Sequence, residues 1–166
     1  MDPYFLYKDG KISIDVLKFD QYYCKHEIAT ELIKLIDLSK FEHIIEPCAG
    51  NGAFSLQIPN CEAYDIDPQH ESIIKKDFWE LYFEYDPETT VIIGGPPYGL
   101  NHQTATKFLE RCTMFANTVA FILPETFQNP TKFELVLEEK LRKTAFTAGG
   151  YDFAHPSSFQ IYKCSI

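Results

Sequence analysis

The sequence predicts an α/β domain built on a mostly parallel, doubly wound sheet with helices on both faces. Three observations predict it. Short apolar runs recur at regular intervals, at 43–46, 63–66, 91–93, 119–123 and 158–162. Helix-like stretches fall among them, at 26–38, where Ile28, Ala29, Leu32, Ile33, Leu35 and Ile36 recur at helical spacing, and at 104–115 and 131–141. The last stretch, 146–162, has no long helix before its apolar run, which predicts an antiparallel return at the sheet edge.

Composition bounds the rest. A chain of 166 residues fits one domain, and 45% apolar residues supply its core. With 15 basic against 24 acidic residues, the net charge of −9 argues against a self-sufficient nucleic-acid binder, which collects Lys and Arg to displace counterions. No apolar run reaches the ~18 residues of a membrane span, and the opening Met1-Asp2-Pro3 is not the basic start of a signal peptide. Cys24, Cys48, Cys61, Cys112 and Cys164 are odd in number and form no Cys-x-x-Cys pair, so no metal site is expected and a reducing, cytoplasmic setting is.

Taken in order, Asp9-Gly10 lies between Phe5, Tyr7 and Ile12, Ile14, Val16, an alternation that predicts a hairpin appendage over 1–17. The single domain then runs over 18–166. Ligands in open parallel sheets bind beyond the carboxyl ends of the strands, so the residues following each apolar run carry the functional information. The first core strand ends in Glu46, followed by Gly50-Asn51-Gly52, two glycines that permit a tight turn and close backbone approach to a ligand. Alone, that pattern fits a structural turn as well. A carboxylate at the strand mouth suits a cationic ligand better than a pyrophosphate. The second strand ends Asp65-Ile66-Asp67-Pro68. Asp65 is placed to accept bonds from ribose hydroxyls, and Asp67-Pro68 to cap a following helix. Asp77-Phe78 follows the expected third strand, although Asp77 taken alone reads as an exposed loop acid. The fourth strand ends Gly94-Gly95-Pro96-Pro97-Tyr98-Gly99, where two prolines fix the backbone and present an aromatic ring.

This ordered set resembles the class I methyltransferases that use S-adenosyl-L-methionine (SAM), and among them the amino-methyltransferases acting on adenine N6. The family carries an acid before a Gly-x-Gly loop, an acid after strand two, Asp-Phe after strand three and Asn-Pro-Pro-aromatic after strand four. The segment from Asp20 to Ala29, containing Tyr22-Tyr23-Cys24-Lys25-His26, is similar to the one preceding the family's first helix, and Ala120 to Phe127, ending Pro124-Glu125-Thr126-Phe127, to its fifth-strand motif. Ser158-Phe159-Gln160-Ile161-Tyr162 resembles the last strand of compact phage and large-virus members. The resemblance covers roughly residues 18–165. It implies a Rossmann-like seven-stranded sheet. It assigns Tyr23, Cys24, Glu46, Gly50, Asn51 and Gly52 to the methionine end of SAM, Asp65 and Ile66 to the ribose and adenine edge, and Asp77 and Phe78 to the adenine. Gly95, Pro96, Pro97 and Tyr98 fall in the catalytic target pocket, and an unpaired or flipped adenine in nucleic acid is the implied substrate.

Gly95 departs from the family, which has Asn there. The Asn side chain accepts one N–H of the amine, and the first proline carbonyl the other. One hydrogen bond to a group gaining charge is worth roughly 1.5–3 kcal/mol, or about 10- to 150-fold in rate. Cys24 and His26 stand where the family has Thr and Pro. Tyr98 stands where cytosine C5 methyltransferases carry a nucleophilic Cys, so that chemistry is excluded. His102 reads as a solvated loop residue. Lys132, Lys140, Arg142 and Lys143 read as a charged helix face or a phosphate contact. Two competing readings remain. One is a catalytically silent subunit acting through a protein partner, favoured by Gly95 and by the absence of a target-recognition region. The other is methylation of a protein glutamine amide.

Overall fold

The computed structural model describes residues 3–14, 22–142 and 144–165. Val16, in the expected hairpin, and Lys143, in the basic cluster, lie outside the described residues.

The chain opens on a helix and not on a hairpin. Helix α1 spans Pro3–Lys8, with proline at the first helical position, where its missing N–H has no partner to lose. Asp9-Gly10 ends the helix. Gly10 is left-handed at φ 71°, and the amide of Lys11 donates back to the carbonyl of Leu6 at 2.9 Å, the bond pattern of a glycine helix stop. The same dipeptide serves hairpins and helix ends, and here the helix wins because Leu6 and Ile12 both enter the core. The segment is therefore no appendage. Leu6→Ala is expected to cost about 2–5 kcal/mol, read as a lowered midpoint in urea; an appendage would leave it unchanged.

Helix α2 spans His26–Ile33 and buries Ile28, Ala29 and Leu32. The sheet strands are β2 (His43–Glu46), β3 (Cys61–Asp65), β4 (Ile74–Lys75), β5 (Thr90–Gly94), β6 (Thr118–Pro124), β7 (Glu134–Lys140) and β10 (Ser157–Lys163). Helix α3, Gln103–Cys112, lies between β5 and β6. The strand order is β4-β3-β2-β5-β6-β10-β7. The first five are mutually parallel, and β10 runs antiparallel to both β6 and β7. Among these seven strands β10 alone is reversed, and β7, outermost beside it, runs the same way as the first five.

Strand β7 corrects the expected helix at 131–141. Its Glu, Leu and Lys residues favour a helix locally, but β10 offers a ladder along its length, pairing Leu137 with Ile161 and, past a bulge at Val136, Leu135 with Tyr162. Its glutamates and Lys140 are exposed and place charge along an open edge, while Glu138 accepts the Ser158 hydroxyl at 2.9 Å.

Period-two alternation sorts the strands onto two faces. Ile44, Val91, Ile93, Ala120, Ile122, Phe159 and Ile161 pack with α1 and α2. Ile45, Ile92, Val119, Phe121, Leu123 and Tyr162 pack with α3. The molecule is an α/β fold with helices on both faces of a mixed, mostly parallel sheet.

A second, three-stranded antiparallel sheet joins β1 (Tyr23–Cys24), β8 (Phe146–Ala148) and β9 (Tyr151–Phe153) in the order β1-β8-β9. Gly149 and Gly150, at φ 55° and 83°, make the two-residue turn between β8 and β9. Lys25 locks this sheet through a 2.7 Å ion pair with Asp152. Among the described residues, no helix is long and apolar enough to cross a membrane.

Candidate active site

From β2 the chain steps outward to β3 and β4, then returns to the other side of β2 to lay down β5 and β6. The crevice between β2 and β5, beyond their carboxyl ends, is where such a reversal opens a ligand site. A cavity of about 1100 Å3 lies there. Every residue assigned to the site from sequence lines it except Gly52, which shapes the loop from behind.

The glycine loop is fixed sterically. Gly50 has φ 55°, and a Cβ there would fall 2.6 Å from the Tyr23 ring; at Gly52, with φ 80°, a Cβ would fall 2.6 Å from Leu56. The amide of Gly50 donates to one Asp65 carboxylate oxygen and the amide of Asp67 to the other, both at 2.8 Å. Asp65 therefore buttresses the loop while facing the cavity, and each of its oxygens keeps a further lone pair for a ligand hydroxyl. Asp67 lines the cavity too. The capping role expected of it falls away, because turns and not a helix lead from β3 to β4. Asn51 steadies the loop by accepting from the amide of Ala53 at 3.2 Å.

Glu46, at the end of β2, lines the cavity. It is 2% exposed, and its Oε1 accepts the amide of Ser55 at 3.0 Å. Burial pushes its carboxyl well above the ordinary range. The ion pairs among the described residues are Lys25–Asp152 and Arg142–Glu31, so Glu46 has no cationic partner there. Gly94 sits against it: φ is 140°, and a Cβ would approach the Glu46 carboxylate to 3.1 Å. A buried acid facing a cavity without a counter-cation is matched to a cationic ligand.

Tyr23 and Cys24 arrive on β1. Burial, with help from Asp65 and Asp67, pushes the Tyr23 phenol up to about 12; burial, with help from Glu46, pushes the Cys24 thiol up to about 12. Both stay protonated and can donate to an acceptor. Cys24 already donates to the Lys25 carbonyl at 3.4 Å. Cys48 is likewise raised by burial, as befits a packing residue and not a nucleophile.

Asp77 accepts the amide of Trp79 at 3.0 Å, capping a short turn over Phe78–Glu80. Phe78 is 7% exposed and stacks on Phe108 with ring centres 3.8 Å apart. One face of that ring is therefore taken by the core. Trp79, next to it and 45% exposed on the same cavity wall, is an aromatic surface that the sequence reading passed over.

At the other end, Gly95 has no positive φ, and a Cβ there would find only Ile122 Cβ at 3.9 Å. Nothing in the backbone requires glycine at this position. Pro96 is buried and Tyr98 half-buried. The Tyr98 carbonyl accepts the amides of Thr104 and Ala105 and so starts α3. Asn101 and His102 follow in left-handed conformations, φ 52° and 60°, on the wall of the cavity. Tyr98 Oη lies 3.1 Å from Ser157 Oγ, which in turn lies 2.7 Å from His155 Nδ1. His155 also lines the cavity, and the sequence reading missed it. Lys132, Lys140 and Arg142 do not line it, and Arg142 instead pairs with Glu31 at 3.4 Å.

Compared with known proteins, the chain matches no family model, and no curated protein is significantly similar to it.

Proposed function

We propose that this protein is a SAM-dependent methyltransferase with a Rossmann-like core, acting on an exocyclic amine, with adenine N6 in an unpaired or flipped nucleotide as its substrate. The observation that carries the reading is Glu46, a buried carboxylate without a cationic partner among the described residues, set where β2 and β5 part. SAM fits that requirement through its ammonium and sulfonium charges, and when bound it supplies a transferable methyl group.

This chain's residues divide the remaining tasks. Glu46 and the Gly50–Gly52 turn hold the cationic amino-acid end, with Tyr23 and Cys24 as donors from β1. Asp65 and Ile66 meet the ribose and the adenine edge, and Asp77, Phe78 and Trp79 enclose the adenine ring. The Pro96 carbonyl accepts one N–H of the target amine, and the Tyr98 ring stacks on the target base. Pinning Tyr98 through Ser157 orients that face in advance.

Gly95 favours a second reading, a methyltransferase-fold subunit that is silent alone and works through a protein partner. An acidic surface supplies little grip on a polyanion, so a partner that brings the target is consistent with either reading. The test is transfer of a tritiated methyl group from SAM to single-stranded DNA and RNA containing adenine, with glutamine-containing polypeptides in parallel. Label in the nucleic acid is expected. Label confined to polypeptide would move the substrate to a glutamine amide, and none at all with SAM bound would favour the silent subunit.

A further inference from the structure

We propose that His155 is the proton acceptor for the target amine and a catalytic residue of this site. The inference rests on the amino-methyltransferase reading above. The loop from Gly94 to Gly99 brings carbonyls and a tyrosine ring to the target end of the cavity, and Gly95 adds no side chain. Yet methylating a neutral amine leaves a cation. The nitrogen lone pair forms the new N–C bond while the C–S bond of the sulfonium donor breaks and its electron pair returns to sulfur. One N–H proton must then leave the nitrogen, and a proline carbonyl is far too weak a base to take it.

Imidazole is the side chain whose ordinary pKa suits that task near neutrality, and two line this end of the cavity, His102 and His155. They differ in how they are held. His155 has Nδ1 fixed 2.7 Å from Ser157 Oγ, and Ser157 is 1% exposed at the start of β10, opposite Pro124. Its ring lies 5.3 Å from that of Tyr98, the ring assigned to the target base, against 6.4 Å for His102. The hydroxyl chain fixes the tautomer that can act as a base. With Nδ1–H donating to Ser157 Oγ and the Ser157 hydroxyl donating to Tyr98 Oη, the lone pair of the neutral ring lies on Nε2, which takes the amine proton. The new charge is thereby spread along a chain already in place. Titratable groups on the neighbouring elements are Tyr98 and His102 on the loop after β5, and Glu125 beyond β6, whose amide donates to the Pro156 carbonyl at 2.9 Å.

The test compares the full-length protein with H155Q and H102Q, using tritiated SAM and a single-stranded oligodeoxynucleotide with a central adenine across pH 5.5–9. In the unmodified protein the rate should rise with pH through a single ionisation. H155Q should lower kcat by roughly 10²-fold or more and erase that rise, with SAM affinity by calorimetry unchanged, while H102Q keeps both. A second readout needs no methyl donor: the imidazole resonance absent from H155Q should move when the oligonucleotide binds the unmodified protein. Should H155Q not fold, H155N identifies the resonance in its place, and a flat pH profile or an unmoved resonance in the unmodified protein overturns the role. H155Q with an unchanged kcat and pH rise overturns His155 alone. An unmodified protein that binds SAM but never labels the oligonucleotide overturns the adenine reading and this role with it.

Discussion

Replacing Gly95 with asparagine is expected to increase methyl transfer to adenine-containing oligonucleotides. The position is open in both senses that matter. Its backbone is not left-handed, and the nearest heavy atom to an added Cβ is Ile122 Cβ at 3.9 Å. An amide there can accept an N–H of the target amine beside the Pro96 carbonyl. A hydrogen bond to a group developing positive charge contributes roughly 1.5–3 kcal/mol, so kcat/KM should rise by about 10- to 150-fold. Little change in stability is expected, because Gly95 is exposed and no packed neighbour must move. Gly94 is the contrasting position. There an alanine would meet both a φ of 140° and the Glu46 carboxylate, and G94A should lose SAM binding along with stability. If G95N leaves transfer at background while SAM still binds, the silent-subunit reading gains, since restoring the missing acceptor alone would then be insufficient.

Glu46→Gln is expected to have the largest effect on the methyl donor. Truncating one partner of a buried charge pair costs about 2–5 kcal/mol, so the Kd for SAM should weaken by about 30-fold or more. The same substitution alters the pH dependence of stability in a defined direction. Burial holds the Glu46 carboxyl well above its ordinary range, so the folded chain keeps a proton that the unfolded chain releases above about pH 4.3. Stability without ligand should therefore fall as pH rises from that value toward the raised folded one, then level off. E46Q removes this slope. Binding a cation favours the carboxylate, so SAM affinity should strengthen as pH rises toward the raised folded value, and proton release should accompany binding below it. In E46Q both dependences should disappear. Urea titrations at several pH values, with and without SAM, check all of these signs.

The parts of the fold legible in the sequence were those encoded locally. The core strands announce themselves as short apolar runs, and β2 begins and ends where its run does, at His43 and Glu46. The strand-end loops are equally local, which is why nearly all the residues chosen from them meet in one cavity. Two local signals misled. Asp9-Gly10 fits a hairpin turn and a helix stop alike, and burial of Leu6 and Ile12 decides between them. The composition of 134–140 favours a helix, and only the ladder offered by β10 makes it a strand. Pairing across the chain was out of reach altogether. The match of Tyr23 with Thr147 builds the sheet that presents Tyr23 and Cys24. The Tyr98–Ser157 contact spans 59 residues, and without it His155 looks like any loop histidine. Phe78 shows the remaining gap. An aromatic at the right place in the sequence can serve the core, as its stack on Phe108 does, while its neighbour Trp79 faces the cavity.

The central claim is that the buried carboxylate of Glu46 awaits the cationic end of SAM. Calorimetric titration of the unmodified protein with SAM, run in two buffers of different ionisation enthalpy at a pH below the raised pKa of Glu46, tests it directly. The account predicts one site per chain and a heat that differs between the buffers, because the carboxyl gives up its proton on binding. Absence of binding at millimolar SAM, or binding that E46Q leaves unchanged, would contradict it.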